Sequence, residues 1–291
     1  MIEELESVMI VNDNKQQLRE ALKKQREKEL KRSRMKKTII GSIAGLVIAA
    51  IIGVIAWSIV QSAGNETNGE QLAPTKADAN GAFHISSGGA VIEDVAPTGQ
   101  TRVDMFFDPM CPGCGLVDRG IGERLNQLVD DGEVDLYMTP VAFLDHASSD
   151  KYSTRAVNAT ITVAEEAPEY YMAFVNTLYE EGHQPAEGAS YVSVTDGLLA
   201  ERAVAVGVPE EVAAKFSEGL YYDWIAENTN KQLNQREDLF PDGFSTPAVF
   251  LNIEYEDKET NTGKVSDYTR VEFDNAEIQQ TFDTALEQVE Q

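Results

Sequence analysis

The chain has 291 residues, 24 of them Lys or Arg and 49 Asp or Glu, a net charge of −25. That length accommodates a tether and one sizeable domain, or a domain with an insertion. Residues 1–37 carry 11 basic and 7 acidic side chains, residues 38–60 carry none, and residues 61–291 carry 13 basic and 42 acidic ones. So acidic a globular region repels nucleic acid and anionic membrane surfaces, which excludes DNA and RNA as partners; the acidity serves solubility in an exposed compartment.

Residues 1–37 read as a charged, helix-prone cytoplasmic tail, with Leu18 and Leu22 at helical spacing and no assignable chemistry. Thr38–Val60 is uncharged and apolar throughout. It is long enough to cross a bilayer, which takes about 20 residues, and longer than the apolar core of about 7–15 residues in a cleavable signal peptide. Lys31, Arg32, Arg34, Lys36 and Lys37 directly precede it, so the N-terminus is expected to stay in the cytoplasm and the rest of the chain to lie outside. The expectation is a single-pass protein of the cell membrane. Gly41 and Gly45 form a G-x-x-x-G, a weak signal for helix pairing in so glycine- and alanine-rich a span. Residues 61–81, rich in Gly, Asn, Thr, Ala and Pro, read as a flexible linker.

The domain itself is expected over 82–291. Ala90–Ile92 reads as a short first strand, Ala96–Gly99 as a turn, and Thr101–Phe107 as a buried strand. Gly115–Asp130 has Leu116, Ile121, Leu125, Leu128 and Val129 at helical spacing, and Asp131–Gly132 turns into a second central strand, Val134–Thr139. From about 148 to 239 the pattern is helical. Val157, Ile161 and Ala164 form one stripe; Tyr170, Tyr171, Phe174, Leu178 and Tyr179 form another behind Pro168; Leu198, Leu199, Ala203 and Val206 stop at Gly207. Val208–Pro209 then opens a helix through Val212, Phe216, Leu220 and Trp224 to Ile225. These aromatic stripes are core rather than cofactor contacts, and the whole reads as a helical subdomain inserted into an α/β domain. Ala248–Leu251 is an apolar strand with Pro247 at its entrance, where a missing donor is awkward, so Thr246–Pro247 is a candidate cis peptide. A hairpin turn at Asn261–Gly263 and a closing helix over Asp274–Val289, with Ile278, Phe282, Leu286 and Val289 on one face, complete the chain.

The chemistry concentrates in Phe106-Phe107-Asp108-Pro109-Met110-Cys111-Pro112-Gly113-Cys114, which holds the only two cysteines. A strand that delivers two thiols to a helix N-terminus is a redox arrangement, because backbone N–H groups and the helix dipole stabilise a thiolate. Cys111 is the candidate nucleophile and Cys114 the resolving thiol; Pro112 suits the first helical turn, where its missing N–H costs nothing. A zinc site needs further ligands, and His84, His146 and His183 are scattered singly, so no metal is expected. A purely structural disulfide closing so short a loop would constrain the unfolded chain little.

F-F-D-P-M-C-P-G-C, a long helical insertion and then S-T-P-A-V-F-L-N resemble DsbA-like thiol–disulfide oxidoreductases of the thioredoxin superfamily, in particular the membrane-tethered type of Gram-positive envelopes. The resemblance covers about residues 82–291. It implies a thioredoxin fold of the α/β class with an inserted helical subdomain behind a single transmembrane helix. It also implies a Thr246–Pro247 loop packed in cis beside Cys111, whose backbone pairs with extended substrate chains. Two departures stand out. The strongest oxidants of the family have a histidine between the cysteines, where this chain has Pro112-Gly113. The family often has a buried acid six residues before the first cysteine, where this chain has Met105; Asp104 and Asp108 are the nearby carboxylates, each more readily a solvated or turn-capping group than a proton-transfer acid.

The expected function is disulfide donation to reduced secreted or envelope proteins, without a cofactor. A substrate thiolate attacks Cys111 of the oxidised pair, a second substrate thiolate resolves the mixed disulfide, and a membrane thiol-oxidising partner reoxidises the pair. The alternatives are a tethered reductase, serving for example cytochrome maturation, and a non-enzymatic anchored binding protein with a permanent disulfide.

Overall fold

The computed structural model describes residues 72–93, 101–257, 262–266, 268–274 and 276–289. Strands β1 (Phe83–Ser86) and β2 (Ala90–Ile92) form a hairpin; β3 (Thr101–Phe107) leads through the cysteines into helix α1 (Pro112–Asp130); β4 (Val134–Pro140) follows. The helices α2 (Tyr152–Glu166), α3 (Tyr171–Tyr179), α4 (Asp196–Ala205), α5 (Glu210–Ala213) and α6 (Tyr222–Asn234) occupy the stretch before β5 (Ala248–Leu251). The hairpin strands β6 (Glu254–Asp257) and β7 (Thr262–Ser266), the short β8 (Thr269–Arg270) and helix α7 (Ile278–Val289) close the chain.

The main sheet has the order β2-β1-β4-β3-β5-β8, with β3 and β4 parallel and the other neighbours antiparallel. β3 lies near its middle, so both faces of β3 are covered, and even its charged residues Arg102 and Asp104 are buried. Val103, Met105 and Phe107 point into the larger core, which also holds both cysteines, the buried stripe of α1, and Phe282 and Leu286 of α7. Phe106 points to the other face, against Leu239, Phe240 and Phe250. The same larger core takes in Tyr152, Phe174, Leu178 and Phe216 from the helical stretch. The helices between β4 and β5 therefore share one apolar interior with the sheet.

Several expectations change in detail. Phe83–Ser86 precedes Ala90–Ile92, so the expected first strand is the second; Phe83 and Ile85 alternate into the core over only four residues, too short a pattern to stand out. Residues 72–81, assigned from composition to the flexible linker, are held in place. The Leu72 N–H donates to Leu220 O, Lys76 Nζ donates to the last carbonyls of α2 at Ala164 and Glu165, and Asp78 accepts from the N–H groups of Asn80 and Ala82. The single helix expected from Val208 to Ile225 is broken: α5 runs into a 3₁₀ turn over Ala214–Glu218, and Gly219 at φ 65° ends it before α6 begins. That left-handed conformation is open to glycine at little cost, and the Tyr222 ring fills the space a Cβ would need. Thr262 and Gly263 lie within β7 rather than in the expected hairpin turn, and Asn261, like the expected turn at Ala96–Gly99, lies outside the described residues. The closing helix starts at Ile278 rather than Asp274, because Asp274 instead forms the preceding turn, its carboxylate accepting from the Ala276 N–H. The tail at 1–37, the apolar span at 38–60 and linker residues 61–71 lie outside the described residues; among the described residues no helix is long and apolar enough to cross a membrane.

Phe174 is fully buried and stacks on Phe216 with ring centroids 5.5 Å apart. Phe174→Ala should cost about 3–5 kcal/mol. Because the core is shared, denaturant unfolding followed by far-UV circular dichroism should show one transition at a lower midpoint. A separate early loss of helix would instead give the helical stretch its own core.

Candidate active site

β3 ends at Phe107, and Asp108 turns the chain into α1. Its carboxylate Oδ1 accepts from the Met110 N–H at 2.8 Å, and its carbonyl accepts from the Cys111 N–H at 3.0 Å. This turn places Cys111 in the N-cap position with extended dihedrals (φ −66°, ψ 117°) and Pro112 at the first helical position. Cys114 then falls within the first turn of α1, on the face that continues through Val117, Ile121 and Leu125 into the core. Cys111 is 7% exposed and Cys114 0%; both are free thiols. A three-residue step along one helix therefore separates a thiol at the edge of the core, with slight exposure, from one sealed in the interior.

The Thr246–Pro247 peptide is cis, and its loop faces the cysteines. The Thr246 carbonyl oxygen lies 3.2 Å from Cys111 Sγ, where it accepts from the protonated thiol. A Cβ on Gly113 would come within 2.8 Å of Pro247 Cδ, so the dipeptide between the cysteines needs glycine for the proline loop to approach. The absence of a larger residue at Gly113 thus has a steric cause.

The Cys111 pKa is lowered to about 6. The main cause is a hydrogen bond from the Cys114 thiol; burial opposes it, and the Thr246 side chain and the N–H groups of Cys114 and Gly113 add to the lowering. The Thr246 carbonyl can serve only the neutral thiol. The group on that side able to donate to a thiolate is the Thr246 hydroxyl, which is buried and makes no hydrogen bond among the described residues. Burial pushes the Cys114 thiol well up, and the charge of a Cys111 thiolate and of the Asp108 carboxylate push it further.

Of the two nearby carboxylates, the structure brings only Asp108 to the cysteines. Asp104 points to the opposite face of the sheet, where Arg102 holds it bidentately through Nε at 2.6 Å and Nη2 at 2.7 Å. Met105, at the position of the family's buried acid, faces the core. Asp108 caps its turn, but it is not solvated: its exposure is 0%. Besides Met110, its carboxylate accepts from the Leu144 N–H at 2.8 Å and the Ser153 hydroxyl at 2.7 Å. Burial nevertheless prevails over these three donors, and the Asp108 pKa rises to about 7, with the charge of Asp145 adding to the rise. The Asp108 main-chain N–H supports the Cys114 sulfur, which puts this residue beside the resolving thiol.

Three contributors carried no signal in the sequence. Tyr179 Oη donates to the Asp108 carbonyl at 3.0 Å; in the sequence it belongs to an apolar stripe. Gln184 Nε2 donates to the carbonyls of Pro109 and Cys111 at 3.2 and 2.8 Å, from a polar turn after α3. Ser153 is one polar residue at the start of α2. The histidines stand apart: His84 stacks on Tyr137, His183 bonds the Thr177 carbonyl, and His146 is on an exposed turn near Phe143. Among the described residues no group of three or more His, Cys, Asp or Glu side chains is placed to hold a metal ion.

A central strand feeding a Cys-x-x-Cys helix N-terminus, faced by a cis-proline loop, defines the thioredoxin class of fold. The family described as Thioredoxin matches residues 96–268, and the chain belongs to that family. Over 125 residues it is 36% identical to the serine/threonine-protein kinase PknE of Mycobacterium tuberculosis, covering 42% of this chain and 21% of that protein. The chain thus matches about a fifth of the length of its curated relatives. Among solved structures it is similar to reduced DsbA from Mycobacterium tuberculosis (25% identity, 72% of this chain and 98% of that one, TM-score 0.48). It is also similar to the thiol-disulfide oxidoreductase MdbA from Corynebacterium diphtheriae (20%, 65% and 91%, 0.49) and to oxidised BdbD from Bacillus subtilis (22%, 75% and 99%, 0.48).

The two thiols should separate by alkylation. In the reduced protein, iodoacetamide should modify Cys111 with a half-maximal rate near pH 6, where its thiolate forms. Cys114 should stay unmodified through neutral pH, as read by mass spectrometry of the digested protein.

Proposed function

We propose that this protein is a thiol–disulfide oxidoreductase that works outside the cytoplasm and donates disulfides through Cys111–Cys114. The observation that carries this reading is the inequality of the two thiols: one is at a helix N-terminus, slightly exposed at the edge of the core and easily ionised, and the other is sealed and hard to ionise. A pair meant only as a structural staple has no use for that asymmetry. The apolar span at 38–60, behind its basic cluster, supports a cell-membrane anchor with the N-terminus in the cytoplasm.

In the forward direction a substrate thiolate attacks Cys111 Sγ of the oxidised pair. The Cys111–Cys114 bond breaks, a mixed disulfide forms on Cys111, and the electron pair leaves on Cys114. A thiolate in that buried position is unstable, and protonated Asp108 supplies its proton. The second substrate thiolate attacks the substrate sulfur of the mixed disulfide and expels Cys111 as a thiolate, which its surroundings stabilise. The products are a substrate disulfide, the Cys111 thiolate, the Cys114 thiol and the Asp108 carboxylate. A membrane thiol-oxidising partner then removes the two electrons. Phe143 and Phe244, part-exposed and 5.5 Å apart, come from the two loops that flank the cysteine turn and offer an aromatic rim to an extended, reduced secreted or envelope chain. Membership of the thioredoxin family supports the same reading.

One observation favours a second reading, a tethered reductase. A nucleophile pKa of about 6 is nearer the value of about 7 in thioredoxin than that of about 3.5 in the strong oxidant DsbA. The reduction potential of the full chain, equilibrated against glutathione buffers, separates the two. Known pairs run from about −120 mV for oxidants to about −270 mV for reductants, a span of about 7 kcal/mol. A value in the upper half of that range, with reoxidation of reduced substrate protein, is expected. A value at the lower end makes it a reductase, and a pair that fails to equilibrate removes both readings. A Cys114→Ser variant should trap client proteins as mixed disulfides on Cys111.

A further inference from the structure

Asp108 receives donors from three places, and they differ in kind. The N–H groups of Met110 and Leu144 are backbone, and they can only donate. Ser153 Oγ, 2.7 Å from Oδ1, is a hydroxyl: it donates to the carboxylate and can turn to accept from the carboxylic acid. It is also the one side chain among the three, and it is supplied by α2, 45 residues further along the chain. Ser153 is 0% exposed, so bulk solvent does not reach its hydroxyl. The next residue is committed elsewhere: Thr154 donates through its N–H and its hydroxyl to Asp145. The first turn of α2 thus holds two carboxylates side by side, Asp108 through Ser153 and Asp145 through Thr154.

We propose that Ser153 is a positioning residue for thiol–disulfide exchange, which holds the Asp108 carboxylate in the charge state and orientation needed to exchange a proton with Cys114. The proposal rests on the role given to Asp108 above and adds to it that the helical stretch between β4 and β5 contributes to the proton-transfer step. The titratable groups facing Asp108 are Cys114 from α1, Asp145 from the loop after β4, Tyr152 from α2 and Tyr179 from α3. Both tyrosines are held neutral by burial, and Asp145 works against ionisation of Asp108. Among the side chains, the Ser153 hydroxyl is what favours the carboxylate. A hydrogen bond to a charged, buried group is among the stronger ones, so its loss moves the balance measurably.

The sign follows directly. Asp108 lies above the ordinary carboxylate range; removing a donor to its ionised form raises it further, so the carboxylate appears only at higher pH. The step to follow is closure of the pair in the reduced full chain after Cys111 has been joined to glutathione. Cys114 Sγ attacks Cys111 Sγ, the bond to glutathione breaks, glutathione leaves as a thiolate, and the Cys114 proton passes to the Asp108 carboxylate.

The rate of glutathione release should be measured from pH 5 to pH 10 for the parent, Ser153→Ala, Ser153→Thr and Asp108→Asn. The parent should show a rising limb centred near pH 7. Ser153→Ala should move that limb up by about one pH unit, which means about tenfold slower release at pH 6 and an unchanged rate above pH 9. Ser153→Thr, which keeps the hydroxyl, should return the limb toward its parent position. Superimposable profiles for Ser153→Ala and the parent, or a uniform loss at every pH, overturn the proposal. If the limb is missing from the parent or survives in Asp108→Asn, the role of Asp108 itself fails. If the limb vanishes in Asp108→Asn yet ignores Ser153→Ala, only the inference about Ser153 fails.

Discussion

A buried carboxylate joins the parts of this fold that meet at the cysteines. Asp108 binds its own turn through the Met110 N–H, the loop after β4 through the Leu144 N–H and α2 through Ser153, while its carbonyl receives the Cys111 N–H and the Tyr179 hydroxyl of α3. Placing a charge at 0% exposure is costly unless it is hydrogen-bonded. Three donors offset that cost only in part, which is why burial still lifts the pKa to about 7. Partial compensation is what gives the group its chemistry. A carboxylate with fully adequate donors would remain ionised at every physiological pH and could not give a proton, while one with none would stay neutral and could not take one.

The cysteines divide along the same boundary between surface and interior. They are three residues apart on one helix, but the N-cap position and the proline loop favour a thiolate on Cys111, and the core forbids one on Cys114. Cys111 is drawn down to about 6 while burial pushes Cys114 up, so the two sulfurs are shifted in opposite directions in their preference for ionisation. In the exchange proposed above, that difference fixes the order of events: the incoming thiolate reaches Cys111, the leaving electrons fall on the sulfur least able to keep a charge, and the proton comes from a neighbour already in place.

How much of this could be read from the sequence depended on how local each cause was. A buried strand, a C-x-x-C, a proline at the first helical position and a Thr-Pro at a strand entrance are each set within a few residues, and the structure has the strand over Thr101–Phe107, the helix from Pro112 and the cis peptide at Thr246–Pro247. The environment of Asp108 is not local. Its turn-capping geometry is legible in Asp-Pro-Met, but its burial is imposed by Leu144 and Ser153, 36 and 45 residues away. Gln184 holds the carbonyls of Pro109 and Cys111 from more than 70 residues away, with nothing in its own neighbourhood to mark it. Residues 72–81 misled in the opposite sense. Their small, polar composition suits a linker, yet Lys76 and Asp78 find partners that a composition cannot reveal, the carbonyl end of α2 and the turn before β1. The break at Gly219 was legible in principle, since a glycine lies inside the pattern, but Phe216, Leu220 and Trp224 kept an apolar periodicity across it.

The Pro-Gly dipeptide connects sterics to the strength of the redox pair. Gly113 is small because Pro247 packs against it, and a residue able to donate a further hydrogen bond to Cys111 from that position would have to displace the proline loop. The thiolate therefore relies on the helix N-terminus, on Cys114 and on the Thr246 hydroxyl, and settles at about 6 rather than far below it. With Cys111 at about 6 and Asp108 at about 7, both groups can change protonation state within reach of neutral pH. A site so poised resists neither direction of exchange strongly on protonic grounds. Net direction then depends on whatever holds the pair oxidised or reduced between turnovers, and not on the cysteines alone.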